Sequence, residues 1–374
     1  MNLKDYIIDK AKGIGIDIIG FTDAEPFDEV KEFLIQRKEK GFHTEFEEED
    51  LEKRYNPKLH LPSAKSIIVI GLSYNVDFKL KRDNKLVGRL SKSSWGIDYH
   101  KVVKEKIQLL VEEIRKIIDF DYKAFVDTGP LIDRYIAEKS GIGWYGKNCS
   151  IINDEFGSFI FLGYILTDLD LQKDNSLKSK CEDCRLCIDA CPTNAIQEDY
   201  KINATRCVSY LTQTKKRIPY ELRDKMGVKI YGCDTCQLVC PKNKNVKKGQ
   251  IKEFIPHKTS GYLDLLELLK ISNKEFKKKY GHISGSWRGK NILKRNAIIA
   301  LGNIGDKKYL DLIEKQLNDP SPMIREYAAW AILKIDIKRG KELLKQRLQL
   351  EKDKEVKEEL EKLLKYFKVE NKLT

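Results

Sequence analysis

Eight of the nine cysteines lie between residues 181 and 240. Residues 181–192 read CEDCRLCIDACP, which is C-x2-C-x2-C-x3-C-P, the spacing with which bacterial ferredoxins bind [4Fe–4S] clusters. In that motif three close cysteines wrap one cluster, and the fourth, before proline, reaches a neighbouring one. A second set is therefore required. CDTCQLVCP at 233–241 supplies C-x2-C-x3-C-P, and Cys207 takes the place of the missing first cysteine from a distance. The crossing rule assigns Cys181, Cys184, Cys187 and Cys240 to one cluster and Cys191, Cys207, Cys233 and Cys236 to the other. Paired C-x2-C thiolates also suit tetrahedral zinc, but zinc would leave the triple run and the two Cys-Pro positions without a reason. Cys149, in GKNCS, is read as a small packed residue. Two clusters pass electrons singly and cannot by themselves transform an organic substrate, so another centre or a partner is needed. No G-x-G-x-x-G dinucleotide fingerprint follows a strand. The cobalamin signature D-x-H-x-x-G is also absent, DYHKVV at 98–103 carrying only its first half. Residue types and spacing alone stop at a redox protein.

The elements that must hold these groups follow from periodicity. LKDYIIDKAKGIG is an amphipathic helix with a glycine stop; IDIIGF and SIIVIGLSY are short buried strands; YHKVVKEKIQLLVEEIRKII has helical spacing over about five turns. This alternation predicts an α/β domain over 1–174. YKAFVDTG, GIGWYGKNC and FGSFIFLGYILTDL add strands joined by glycine-rich loops, which let backbone approach a ligand closely or simply turn tightly. Residues 175–250 form a ferredoxin-like two-cluster domain, and 251–374 a basic helical domain. There RNAIIALGNIGD at 295–306 recurs as REYAAWAILKID at 325–336, with Pro320 and Pro322 between the copies. That period suggests HEAT-like helix pairs, which bury a core by stacking on their neighbours. The fold class expected is α+β and multidomain.

A chain of 374 residues with 41% hydrophobic and 34% charged residues has ordinary globular usage and room for two or three cores. The apolar runs at 66–72 and 159–166 fall far short of the roughly 20 residues that span a bilayer. The N-terminal segment carries charges throughout and lacks an apolar h-region or a small-residue cleavage site, so the expected compartment is the cytoplasm, where clustered cysteines serve metals. The net charge is +13, and residues 241–296 alone hold fifteen Lys/Arg against four Asp/Glu, a surplus of eleven. A belt of that density attracts polyanions; a solvated lysine-rich surface is the alternative.

Over nearly its whole length the chain resembles the epoxyqueuosine reductases. The resemblance rests on SWGIDYH at 94–100, VDTGPLIDR at 126–134, AEKSGIGWYGKN at 137–148, the CEDCRLCIDACPTNAI run, LTQTK at 211–215, YGCDTCQLVCPKNK at 231–244 and GHISGSWRGK at 281–290. It implies reduction of epoxyqueuosine to queuosine at the wobble position of tRNA. It also implies base-off cobalamin, bound between the N-terminal and cluster domains with no histidine as lower ligand. Asp127 matches the family's proton donor, and burial beside the corrin would have to raise its pKa. Asp133 is the rival carboxylate, expected to form a structural ion pair with Arg134. The resemblance further implies cobalamin contacts at Arg54, Ser91, Asp127, Lys147, Asn148, Ser209, Gln213, Asp234 and Thr235. Trp95, Tyr99 and His100 fall on the substrate side, His100 being equally readable as a helix-capping residue. Trp287, Arg288, Lys290, Lys294 and Arg295 would receive the anticodon stem-loop, since single-stranded loops are read by aromatic and guanidinium stacking with lysines on phosphates. An external single-electron donor such as a flavodoxin or ferredoxin, no membrane and a monomeric state complete the expectation. A cobalamin–iron–sulfur reductase of a small molecule, dehalogenase-like, and a non-enzymatic electron carrier are the competing classes.

Overall fold

The computed structural model describes residues 2–79 and 86–370. By contacts the chain divides into two compact units, each assembled from separate stretches. One takes in Met1–Lys79, Lys92–Cys207 and Asp234–Lys258; the other takes in Leu80–Ser91, Val208–Cys233 and Thr259–Thr374. These boundaries fall elsewhere than 174/175 and 250/251, because sequence-distant segments share sheets and cores.

The first unit is built on a four-stranded sheet in the order Ile18–Asp23, Ser66–Ser73, Ile160–Thr167, Tyr122–Phe125. Every neighbouring pair is antiparallel. The alternation of helix and strand therefore does not make the parallel sheet usual for α/β domains; the unit is α+β. All eight residues of Ser66–Ser73 are buried, as a central strand covered on both faces requires. The helix Tyr99–Arg115 packs on this sheet through Val102, Val103, Ile107, Leu110, Val111 and Ile114, each worth about 1.5–3 kcal/mol when fully buried. Its close approach depends on Gly163, where a Cβ would stand 2.8 Å from Val103 and 3.1 Å from Ile107. The GIGWYGKNC segment is a two-stranded hairpin, Trp144–Tyr145 pairing with Ile151–Ile152. Cys149 sits in its turn, buried, with φ 58°.

The second unit has a three-stranded sheet in the order Lys229–Tyr231, Val87–Leu90, Tyr262–Asp264. Beyond it come HEAT-like helices, including Lys290–Ile304, Pro322–Ile335, Ile337–Leu350 and Lys354–Glu370. The recurring segments of the sequence form the first two of these. They cross closely at Gly302, where a Cβ would lie 2.8 Å from Trp330 and 3.1 Å from Ala331. Pro322 is the first residue of its helix, where the missing N–H costs nothing.

Candidate active site

Within the first unit, three side chains meet at the start of the helix Tyr99–Arg115. Asp98 caps that helix, its Oδ1 accepting from the His100 backbone N–H at 3.1 Å and contacting the ring Nδ1 at 2.7 Å. Asp127 follows the edge strand Tyr122–Phe125 and adopts φ 56°, a left-handed conformation that Asp tolerates better than most residues. Its loop lies tight on Tyr164, since a Cβ at Gly129 would be 2.3 Å from the Tyr164 hydroxyl. Asp127 Oδ2 thereby comes within 3.5 Å of His100 Nε2. Tyr99 stacks on His100 and on Phe161, both at 4.1 Å between centroids.

The electrostatics of this group differ from the expectation. Burial opposes charge on His100, but the carboxylates of Asp127, 3.5 Å from Nε2, and of Asp98, hydrogen-bonded to Nδ1, overcome it and push the imidazole up to about 9. Desolvation likewise raises Asp127, yet hydrogen bonds from His100 and Tyr99 outweigh it and hold the carboxyl below its ordinary value. At neutral pH the proton resides on His100 and Asp127 is ionised, although its side chain is 61% exposed to solvent. The raised pKa belongs to Asp133, through burial and the nearby charge of Asp127. Its Oδ1 is buried without a hydrogen-bond partner, and the Nη1 of Arg134 donates to the Cys149 carbonyl at 2.8 Å. Asp133 is thus a carboxyl whose pKa burial raises, and it makes no ion pair with Arg134, contrary to expectation.

The same unit holds the cavity for the first cysteine set. Cys181, Cys184, Cys187 and Cys240 line one concavity together with Lys147 and Asn148. Burial and the neighbouring thiols Cys240 and Cys181 push Cys187 up to about 11, and Cys240 is raised as well. Four cysteines lining one concavity supply the ligand type and number that a [4Fe–4S] cluster takes, so the residues present fit such a group. Of the second set, Cys191 and Cys236 pack in a common apolar cluster with Ile188, Ile196 and Val239, and Cys191 Sγ accepts from the Ala195 N–H at 3.2 Å. Cys207 belongs to the same unit, while Cys233 ends a segment of the other, one residue before Asp234.

The residues expected around cobalamin are shared between the two units. Arg54 is ion-paired to Glu47 at 2.8 Å; desolvation there is overcome by Arg37 and Arg54, and Glu47 falls to about 2. Lys147 pairs with Asp199 at 3.0 Å, and with Asn148 it stands in the cluster cavity. Asp234 Oδ2 accepts from the Lys92 N–H at 2.8 Å, and Thr235 opens the short helix Thr235–Leu238. In the second unit, Ser91 is buried with its N–H on the Tyr231 carbonyl at 2.8 Å. The Ser209 carbonyl accepts from Gln213 Nε2 at 3.0 Å. Gln213 Oε1 accepts from Tyr231 and from Trp287, each at 3.1 Å. On the substrate side, Tyr99 and His100 stand at Asp127, whereas Trp95 is buried with the Lys92 ammonium 5.5 Å from its ring centroid.

The expected RNA contacts separate into two kinds. Trp287 is 54% exposed and the Arg288 guanidinium lies 4.2 Å from its ring centroid, a ready stacking platform. Lys290 opens the helix Lys290–Ile304. Lys294 and Arg295 point the other way. Lys294 is 6% exposed and ion-paired to Asp319 at 2.5 Å. Arg295 is fully enclosed, donating to the carbonyls of Thr214 at 2.5 Å and Leu211 at 2.8 Å. Both are structural, because the KRNA register turns them into the repeat core. Within the basic belt, Lys274, Lys277 and Lys278 are exposed on the helix Asn273–Tyr280. Helical spacing about the buried Phe276 and Tyr280 is the signal that identifies that solvent face.

Fold and site together define an iron–sulfur oxidoreductase that carries a HEAT-repeat region. Residues 180–243 match the model of the 4Fe-4S double cluster binding domain, and 290–365 that of HEAT repeats. Residues 54–128 match the model described as epoxyqueuosine reductase QueG, DUF1730. The epoxyqueuosine reductase of Bacillus cereus is 45% identical over 363 residues, 96% of each chain. A crystal structure of an epoxyqueuosine reductase with an epoxyqueuosine-modified tRNA-Tyr stem loop superposes with a TM-score of 0.93, at 44% identity, covering 98% of this chain and 99% of that one. The Bacillus subtilis enzyme, in a structure described as having its catalytic aspartate loop swung out of the active site, gives 0.92 at 44% identity over 97% and 98% of the two chains. The chain belongs to the epoxyqueuosine reductase family.

Proposed function

We propose that the protein reduces epoxyqueuosine in the anticodon loop of tRNA to queuosine. Removal of the epoxide oxygen to leave an alkene consumes two electrons and two protons and releases water. Cys181, Cys184, Cys187 and Cys240 would hold one cluster and Cys191, Cys207, Cys233 and Cys236 the other, and the loaded clusters would relay single electrons from an external donor. Cobalamin is the proposed second centre; when bound, it would collect singly delivered electrons for a two-electron step. One feature of the first unit fits that role: the exposed carboxylate of Asp127, backed by His100, would be open to a bound group and its substrate. Arg54, Lys147, Asn148, Asp234 and Thr235 are its proposed contacts there, Lys147 and Asn148 also lining the cysteine cavity.

The observation that carries the chemistry is the Asp127–His100 pair. A developing alkoxide needs a proton at the moment the C–O bond opens. Asp127 Oδ2 presents it, and His100 Nε2 holds it in reserve at neutral pH. As substrate excludes water from Asp127, desolvation favours its neutral form and draws the proton across from His100. The Trp287–Arg288 platform and the lysines of Asn273–Tyr280 are the proposed RNA contacts of the second unit. The test is anaerobic turnover of an epoxyqueuosine stem-loop by protein reconstituted with iron, sulfide and cobalamin. Mass spectrometry should show loss of one oxygen atom. Turnover of the free nucleoside as fast as the stem-loop would favour the small-molecule reductase instead.

A further inference from the structure

Two buried N–H donors beside the first cysteine set have no acceptor among the described residues. Asn148 is 5% exposed and lines the same cavity as Cys181, Cys184, Cys187 and Cys240. Its Oδ1 accepts from the Ser150 N–H at 3.1 Å, which fixes the amide orientation, because only the carbonyl end can accept. The Nδ2 is therefore the free end, and it is buried without a partner. Trp144, 1% exposed, packs with Ile152 and Cys240 against Cys181, and its Nε1 is likewise buried without a partner. A buried donor left unsatisfied is costly, and one that lines the cysteine cavity beside another that packs on Cys240 and Cys181 points to an acceptor that belongs there. In a cavity walled by four cysteines, the acceptors at hand are sulfur atoms.

We propose that Asn148 Nδ2–H and Trp144 Nε1–H donate hydrogen bonds to sulfur of the cluster held by Cys181, Cys184, Cys187 and Cys240, and so raise its reduction potential. Such bonds stabilise the reduced cluster, which carries one more negative charge than the oxidised one. The other set is served differently, since Cys191 Sγ already takes its donor from the Ala195 backbone. Side-chain variants at 144 and 148 therefore address one cluster and leave the other alone. The inference rests on the double-cluster reading, which iron analysis of the unmutated protein tests separately at about eight irons per chain.

The experiment is a potentiometric titration, followed by EPR, of full-length protein reconstituted anaerobically with iron and sulfide. Asn148→Leu should keep its iron and lower the reduced-to-oxidised ratio of one cluster about tenfold at fixed potential, a fall of about 59 mV for one electron. Trp144→Phe retains the ring packing, removes only the N–H, and should lower the same midpoint by a smaller amount. The second cluster should titrate as in the unmutated protein. Unchanged midpoints in iron-replete variants, or equal shifts of both clusters, would overturn the proposal. Should Asn148→Leu fail to hold iron, Trp144→Phe decides alone: a selective fall supports the assignment and an unmoved midpoint refutes it.

Discussion

Replacing Asp98 by Asn removes one charge from beside His100 while keeping the helix start, because Asn caps a helix about as well as Asp. The imidazole stands at about 9 against an ordinary 6.5, which corresponds to about 3 kcal/mol in favour of imidazolium. Two carboxylates supply that preference against desolvation, Asp98 at 2.7 Å and Asp127 at 3.5 Å. Loss of the nearer one should lower the His100 pKa by roughly one to two pH units. The fold raises this pKa, so the associated stability is fully present below about pH 6.5 and is lost as pH rises through about 9. In Asp98→Asn that loss should be complete at a lower pH. The chain has five histidines, few enough to follow the ring C–H signals by NMR against pH and assign His100 by its absence in His100→Gln. Single-turnover reduction of the stem-loop should show an alkaline limb that moves with the same pKa. An alkaline limb and a His100 titration unchanged in Asp98→Asn would refute the proton-holding role.

Asp127→Asn should retain iron and RNA binding and lose a factor of about a hundred or more in turnover, measured by single-turnover mass spectrometry. Asp133→Asn should melt closer to the unmutated protein in acid and above it at neutral pH, because burial raises the native carboxyl above its unfolded value near about 3.9, so ionisation penalises folding as pH rises. Cys149→Ala should leave the iron content at about eight, whereas Cys240→Ala should damage the cluster wrapped by the other cysteine run, as iron analysis and EPR would register. For RNA, Trp287→Ala should weaken stem-loop binding by about 1–3 kcal/mol with the salt slope unchanged, and Lys277→Ala with Lys278→Ala should flatten that slope by about one for each phosphate no longer neutralised. Arg295→Ala should act on the melting temperature instead, costing about 3–5 kcal/mol for a buried charged donor removed from its acceptors.

Whatever depends on near neighbours along the chain could be read from the residues alone. The CEDCRLCIDACP and CDTCQLVCP runs specify cluster chemistry because a metal cluster demands thiolates at fixed short spacing, and no distant residue alters that spacing. The helix Tyr99–Arg115 and the paired helices Lys290–Ile304 and Pro322–Ile335 were equally legible, since apolar periodicity and capping are local properties. Packing of the folded chain governed everything that rests on approach between distant segments. Strand order was one such matter, since the apolar run Ser66–Ser73 reads alike in a parallel or an antiparallel sheet. Another was the protonation of Asp127, whose neighbours in VDTGP carry no charge and whose pKa is lowered by His100, 27 residues away in sequence. The fates of Lys294, Arg295 and Asn148 belong here too. A lysine or arginine in a basic belt, or an amide in a glycine-rich loop, has the same local sequence whether it faces solvent or a cavity. Burial, and with it the strength of every charge and hydrogen bond, is a property of the packed chain.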